Sequence, residues 1–415
     1  MNPQPIPHIV DQHAEEAAFL WLLRSNAVSA IHYDLDDLAE LDNRVEAHID
    51  GLRVTGDYGW KVCEANLEFK EAGELFISTV LALESNNAEK LKIVYEVLKA
   101  NTELQNGFVS ALGWVNPKFL EGKVSGFLAS KSSFWRQIGI AACTVQRVDP
   151  GDHLKRGIQS KNHGLCSQSL RAAGKLGRDD LLELIKKQLT SKDENVRFWS
   201  AWSAILCADR SESLSAMLAF AKLESSYGLQ AINLLLRVYD SKKAKELLAL
   251  LKDQNKMRLV IQGMGIRGEA DYIPWLIDQM SIPELSRLAG ESFTLITGVD
   301  LAYDDLEIDQ PEGFEAGPTE DPEDENTDLD EDEDLPWPDI ELVRAWWETN
   351  RNQFSSGVRY LMGKEITHQN CVSILKTGMQ RQRKAAAMEL ALMTADGVLF
   401  ETSAIGSRQQ QLLNV

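Results

Sequence analysis

The densest group of chemically capable side chains is a run of carboxylates near residue 320. Residues 304–334 contain 17 Asp and Glu and neither Lys nor Arg. Carboxylate oxygens are the ligands that calcium prefers, but an EF-hand loop needs glycine at its sixth position and glutamate at its twelfth. With Asp324 placed first, those positions hold Leu329 and Leu335. The spacing therefore argues against a specific calcium site.

A glycine motif at residues 263–268, GMGIRG, matches the G-x-G-x-x-G pattern of dinucleotide-binding proteins. That chemistry requires a strand before the motif and a helix after it, so that the pyrophosphate meets the helix N-terminus. Here the preceding stretch has a helical pattern instead. We therefore expect Gly263, Gly265 and Gly268 to allow close helix approach and a tight interhelical turn.

Histidine and cysteine do not form a recognisable site in the sequence. The seven histidines are scattered and include no H-E-x-x-H pair, which zinc proteases use. The cysteines are odd in number, widely spaced and never arranged as C-x-x-C, which predicts buried, reduced thiols rather than disulfides or zinc ligands. They are Cys63, Cys143, Cys166, Cys207 and Cys371. We predict no catalytic residue, no metal, no cofactor and no enzyme activity.

Charge and hydropathy narrow the possible partners. The formal net charge is −20, yet all but −3 of it lies within residues 304–334. Direct nucleic-acid binding is not expected from a nearly neutral body with an acidic segment, because phosphate contacts need clustered Lys and Arg. The N-terminal apolar run AAFLWLL lacks a basic leader and is too short for a signal peptide or a membrane span. These features predict a cytoplasmic protein without membrane association.

Two interpretations of the acidic run stay open. Like charges at this density repel one another and offer little apolar surface to bury, which predicts a flexible linker over 301–335. The same charges could also bind a basic partner. For that role we single out the carboxylates and two neighbouring tryptophans: Asp321, Glu323, Asp324, Glu325, Asp328, Asp330, Glu331, Asp332, Glu333, Asp334, Trp346 and Trp347.

A repeat of about thirty residues organises the remaining chain. Small or apolar residues recur at steps of 30 or 31, and sixteen residues after most of them lies another apolar residue. A polar or glycine-bearing turn intervenes, so each unit reads as a helical hairpin that must stack on its neighbours to bury its apolar stripe. The first positions are Val80, Ala111, Ala142, Ala173, Ala204, Leu234 and Met264.

The stretch SKDENVRFWSAWSAIL resembles the D-x-x-V-R-x-x-A-x-x-A-L signature of HEAT repeats, with Val196, Arg197 and Ala201 in the expected places. We therefore predict an all-α protein built on an α-solenoid of HEAT-like hairpins. Its predicted parts are an N-terminal helical cap at 1–71, the solenoid at 72–300, an acidic flexible linker at 301–335 and a C-terminal helical extension at 336–415.

Several longer stretches together resemble a family of bacterial HEAT-repeat proteins that are often encoded beside type VI secretion effector genes. The stretches are FLWLLRSNAVSAIHYDLDDLAELDNRVEAHIDGLRV, GESFTLITGVDL, LPWPD, GVRYLMGKEIT, GMQRQRKAAAMELAL and LFETSAIGSRQ. The resemblance implies a secreted toxin as the partner. The chain would then be a cytoplasmic immunity protein that neutralises its cognate toxin, which could be a basic nuclease domain. The alternatives are an effector adaptor or chaperone and a helical-repeat enzyme.

Overall fold

The computed structural model describes residues 5–222, 225–314, 316–317, 330–394 and 396–415. This part of the chain is all-α, as predicted, and its only paired strands are two short antiparallel ladders. The chain forms two compact units. Unit 1 comprises residues 1–216 and 376–415, and unit 2 comprises residues 217–375. This division differs from the predicted one, because it splits both the repeat region and the C-terminal extension.

The helices of unit 1 are α1 (Pro7–Ala27), α2 (Leu35–Thr55), α3 (Asp57–Asn66), α4 (Ala72–Ser85), α5 (Ala88–Ala100), α6 (Gln105–Trp114), α7 (Lys123–Leu128), α8 (Ser133–Gln146), α9 (Asp152–Ile158), α10 (His163–Lys175), α11 (Leu182–Lys186), α12 (Glu194–Leu206), α21 (Gln380–Met393) and α22 (Gly406–Leu413). Helix α13 (Glu212–Lys222) contains the boundary between the units, and α20 (His368–Thr377) spans the second boundary.

The helices of unit 2 are α14 (Gly228–Val238), α15 (Ser241–Asp253), α16 (Met257–Arg267), α17 (Ile273–Gln279), α18 (Pro283–Thr297) and α19 (Ile340–Asn350). Strand β1 (Glu307–Ile308) pairs with β2 (Trp337–Pro338), and β3 (Tyr360–Leu361) pairs with β4 (Lys364–Glu365).

The thirty-residue repeat corresponds to alternating helices. Its first positions lie on α4, α6, α8, α10, α12, α14 and α16, and every one of them is buried. Within unit 1, α4, α6, α8, α10 and α12 pack in sequence on one another, and within unit 2 α14, α16 and α18 do the same. The helices predicted at these positions are therefore present, and the residues predicted to be buried are buried.

Polar side chains determine where several of these helices begin. The Asp34 carboxylate accepts hydrogen bonds from the backbone N–H groups of Asp36 and Asp37. The Asp37 carboxylate in turn accepts the backbone N–H of Asp34, which makes a capping box. Asp339 caps α19 by accepting from the backbone N–H groups of Glu341 and Leu342 at 3.0 Å each. Such caps satisfy N–H groups that have no partner within the helix.

Glycines set the distance between neighbouring helices. A Cβ on Gly107 of α6 would lie 2.1 Å from the carbonyl oxygen of Ala72 on α4. A Cβ on Gly265 of α16 would lie 2.9 Å from the Ser292 hydroxyl of α18, and Gly268 ends α16 with a φ of +75°. The predicted role of the GMGIRG glycines, close helix approach followed by a tight turn, is therefore confirmed for Gly265 and Gly268.

Replacing Gly107 with alanine should destabilise the protein by about 1–3 kcal/mol, because the new methyl group overlaps backbone that cannot rotate away. Gly126 of α7 is the matched control, since a Cβ there meets nothing within 4 Å. Gly126→Ala should leave stability unchanged or raise it by up to about 1 kcal/mol. Urea unfolding of both variants checks this. Equal stabilities of the two variants would contradict the packing argument.

Candidate protein-binding site

Both ends of the acidic run are fastened at one place in unit 2. In the β1–β2 ladder Glu307 pairs with Pro338 and Ile308 pairs with Trp337. Just beyond it, the Asp339 N–H donates to the Leu306 carbonyl at 2.8 Å. The residues at the start and at the end of the run therefore lie side by side in unit 2. This arrangement differs from the predicted linker, which would have joined two separate pieces. We call residues 309–336 the acidic loop.

Arg258, in the first turn of α16, holds the returning end of the acidic loop. Its Nη1 and Nη2 donate to the two carboxylate oxygens of Asp332 at 2.7 and 2.8 Å, and Nη2 also lies 3.2 Å from Glu331. Two parallel bonds of this kind fix the carboxylate in orientation as well as in position. Asp332 is consequently buried, although it comes from the most acidic part of the sequence.

Arg287, in the first turn of α18, holds the same end from the other side. It donates to the Asp330 carboxylate at 2.6 Å and to the Asp332 carbonyl at 2.8 Å. Its guanidinium carbon lies 4.6 Å from the Trp337 ring centroid and 5.6 Å from that of Phe314. A planar cation beside aromatic rings is stabilised both by packing and by the ring quadrupoles.

The predicted partner-binding carboxylates therefore fall into different groups. Asp330 and Asp332 are bound by arginines of this chain, so the prediction that they face a partner is revised. Glu331, Glu333 and Asp334 are exposed. The other predicted carboxylates lie outside the residues that the structure describes; they are Asp321, Glu323, Asp324, Glu325 and Asp328.

A shallow depression lies beside the ladder at the base of the acidic loop. Its volume is about 600 Å³, and its lining includes the carboxylates of Glu307 and Asp309 and the ring of Trp337. Two carboxylates that line one depression attract a Lys or Arg side chain, whereas the ring of Trp337 is already packed against Arg287 and Phe314 of this chain. Sequence reasoning missed this feature, because Glu307 and Trp337 are brought together only by the ladder.

The two predicted tryptophans pack against unit 2. Trp347 is buried and its ring centroid lies 5.5 Å from that of Phe354. Trp346 is half-buried and meets Phe293 of α18 edge to face at 5.6 Å. Adjacent residues on a helix point in different directions, and each of these rings contacts a different aromatic residue of this chain. Trp347 is therefore a structural residue.

In unit 1 a different segment covers the edge formed by the C-terminal ends of α6, α8 and α10. We call residues 396–414 the C-terminal strap. Leu399 donates its N–H to the Lys175 carbonyl at 3.1 Å, and Arg408 donates to the Gly113 carbonyl at 3.1 Å. The carbonyls of a last helical turn have no partner within the helix, so the strap supplies donors that α6 and α10 lack.

Glu401 anchors the strap through a largely buried cluster of charges. Its carboxylate accepts from Lys175 at 2.8 Å and from Ser403 at 2.5 Å, and lies 3.4 Å from Arg147. Burial alone would raise the pKa of Glu401, but attraction to Lys175 and Arg147 outweighs it and lowers the pKa to about 2. Glu401 is therefore ionised throughout the physiological range.

A second buried ion pair fixes the middle of the strap, at residues 403–406. Arg24 of α1 donates to Asp42 of α2 at 2.7 Å and to the carbonyls of Ser403 and Ala404 at 2.9 Å each. Asp42 in turn accepts the N–H of Gly406 at 2.7 Å. One arginine and one aspartate thus join two N-terminal helices to a segment more than 350 residues away.

The titratable side chains of the described residues bear on the sequence predictions for metal and thiol chemistry. No cluster of three or more His, Cys, Asp or Glu within them is placed to hold a metal ion. The five cysteines are buried and none of them forms a disulfide, as predicted, and burial raises the pKa of Cys63 to about 12, which leaves the unreactive thiol form. Among the helices described, none combines the length and the apolar character needed to cross a bilayer.

Comparison with known proteins adds no further assignment. No protein-family model, no curated protein and no solved structure matches this chain.

Proposed function

We propose that this chain is a protein-binding scaffold of the α-solenoid class, and that its acidic loop binds a positively charged segment of a partner protein. The observation that carries the proposal is the β1–β2 ladder, which holds both ends of a loop rich in carboxylates and devoid of cations. A loop held at its base keeps its charges concentrated in one place. Concentrated charge of one sign accelerates the encounter with an oppositely charged partner.

The stacked helices support the scaffold part of the proposal. In repeat proteins, consecutive helical hairpins that pack on one another form surfaces that bind partner proteins. Unit 2 would present the acidic loop from the N-terminal ends of α16 and α18, where Arg258 and Arg287 hold it. The depression with Glu307, Asp309 and Trp337 would receive one Lys or Arg of the partner.

The resemblance to proteins encoded beside type VI secretion effectors suggests that the partner is a secreted toxin. We propose a cognate toxin, with this chain acting as its cytoplasmic immunity protein. A toxin that is a basic nuclease would fit the acidic loop best, because its nucleic-acid groove is lined by the cations that the loop attracts. Neutralisation would then follow from occupation of that groove.

Binding of a basic segment can be measured with a fluorescent octalysine peptide and the full chain. Glu307→Gln combined with Asp309→Asn should weaken binding about tenfold or more at low salt, since each lost charge-assisted contact is worth about 1.5–3 kcal/mol. The control is Glu89→Gln with Glu96→Gln on exposed positions of α5, which removes the same charge from unit 1. Equal weakening by both pairs would refute a defined site.

Co-expression with the toxin encoded beside the gene tests the immunity role. Cells that make the toxin should survive only when this chain is present, and the Glu307→Gln, Asp309→Asn variant should protect them less. Binding without protection, together with loss of toxin secretion when the gene is deleted, would identify an adaptor instead. Peptide binding in the absence of any effect on the toxin would retain the site and reject the proposed partner.

A further inference from the structure

Unit 1 contains a cavity of about 490 Å³ between the hairpin ends formed by α7–α8 and α9–α10. Its polar lining consists of Ser130, Arg136, His153, Arg156 and Ser160. No Asp or Glu lines it. The cavity falls within the range typical of small-molecule sites. It is unrelated to the acidic loop, which belongs to unit 2.

Arg136 is held in place by the turn that precedes its own helix. Its Nη1 donates to the carbonyls of Ser130 and Lys131 at 3.0 and 3.2 Å. Arg197, in a later repeat, makes the same two contacts with Ser191 and Lys192 at 2.8 and 2.9 Å. In both repeats the arginine is therefore held through its Nη1 atom. The Nε and Nη2 groups of Arg136 remain available to a ligand in the cavity.

The positive charge around the cavity is not neutralised by the protein. Neither Arg136 nor Arg156 forms an ion pair with a carboxylate in the described part of the chain, and the one side-chain bond of Arg156 goes to the Asp152 carbonyl at 3.3 Å. Two unpaired guanidinium groups facing a common space favour an anion, and their planar forks match the oxygens of a phosphate.

The serine hydroxyls and the apolar floor complete the site. Ser130 and Ser160 occupy equivalent turns of successive repeats, and each Oγ accepts a backbone N–H two residues on, at 3.2 and 3.1 Å. A hydroxyl that accepts in this way keeps its own proton free to donate to a ligand. Leu128, Ile140 and Leu165 are the buried apolar residues of the lining, and we call them the apolar floor. The floor would therefore contact an apolar group attached to the anion.

We propose that this cavity binds the phosphate monoester of a small organic molecule. Arg136 and Arg156 bind the phosphate oxygens, Ser130, His153 and Ser160 add hydrogen bonds, and the organic group lies on Leu128, Ile140 and Leu165. A monoester fits better than a nucleic-acid backbone, because the donors converge on one cavity instead of following an extended groove.

Isothermal titration of the full chain with phenyl phosphate tests the proposal. We expect one saturable site, weakened about tenfold or more by Arg156→Gln and by Arg136→Gln. Inorganic phosphate should bind more weakly than phenyl phosphate, because it leaves the apolar floor uncovered. Phenol, which lacks the anion, should not bind.

Arg197→Gln is the matched control for Arg136→Gln, since it removes the same pair of carbonyl contacts away from the cavity. It should lower thermal stability to a similar extent but leave phenyl phosphate binding unchanged. Arg156→Gln should weaken binding with little change in stability. Absence of saturable binding at millimolar phenyl phosphate, or equal binding by wild type, Arg136→Gln and Arg156→Gln, would overturn the proposal. Equal affinity for inorganic phosphate would overturn the part played by the floor.

Discussion

Glu401→Gln should lower the free energy of unfolding at pH 7 by about 3 kcal/mol, one of the two largest effects that we expect from a single substitution. The carboxylate lies within contact of Lys175 and Arg147, and its side chain is only 16% exposed. Glutamine keeps the shape but leaves two cations without a counter-charge in a poorly solvated place. For a unit of this size the midpoint of thermal unfolding should fall by roughly 6–12 °C.

The pH dependence of this effect has a definite sign. The pKa of Glu401 is about 2 in the folded state and lies near its ordinary value of about 4.3 in the unfolded state. Its contribution is therefore complete above about pH 4.3 and is lost as the pH falls toward 2. The stability difference between wild type and Glu401→Gln, measured by urea unfolding, should shrink over that interval.

Two further variants distinguish this explanation from a general loss of stability. Glu183→Gln removes a carboxylate from an exposed position of unit 1 and should change stability by less than about 0.5 kcal/mol. Adding Lys175→Met to Glu401→Gln should restore part of the loss, because it removes one of the uncompensated charges. If the double variant is less stable than Glu401→Gln, the charge argument is wrong.

Arg287→Ala should release the base of the acidic loop, because it should lower the free energy of opening that base by about 3 kcal/mol. The substitution removes the partner of Asp330, a hydrogen bond to the Asp332 carbonyl and the cation packed on Trp337. Arg287→Lys should lose a smaller part of this energy, since it keeps the charge but not the planar fork.

Hydrogen exchange reports the release of the loop directly. The N–H of Leu335 donates to Asp332 and that of Asp339 donates to Leu306, so both amides are protected while the base is intact. In Arg287→Ala they should exchange about 100-fold faster, which corresponds to about 3 kcal/mol. Arg344→Ala, which breaks only an exposed ion pair with Asp278, should leave both rates nearly unchanged. Unchanged exchange in Arg287→Ala would show that the ladder alone holds the loop.

The sequence could predict those parts of the fold that depend on the local spacing of apolar residues. Ala142 and Ala173 lie on helix faces that recur at constant spacing, so the hairpins and their buried faces follow from residues within one or two turns. The N-cap role of Asp339 is equally local, because its partners are two and three residues away.

The features that escaped prediction depend on residues far apart in the chain. Glu401 and Lys175 are separated by 226 positions, and nothing in the sequence around either residue indicates the pair. Asp332 lies among carboxylates that typically remain solvated, and only the spatial placement of Arg258 and Arg287 explains its burial. The apolar residues of LPWPD beside the acidic run were the one signal that this end is fixed: Leu335 and Trp337 are buried.

Unit 1 consists of two chain segments that are synthesised at different times. A ribosome releases residues 1–216 early but delivers residues 376–415 only after all of unit 2 has been translated. Until then Lys175 and Arg147 lack the Glu401 carboxylate, and the carbonyls of Gly113 and Lys175 lack the donors that the strap supplies. Unit 2 is contiguous and can complete its packing first, so the nascent chain should mature from its middle outward.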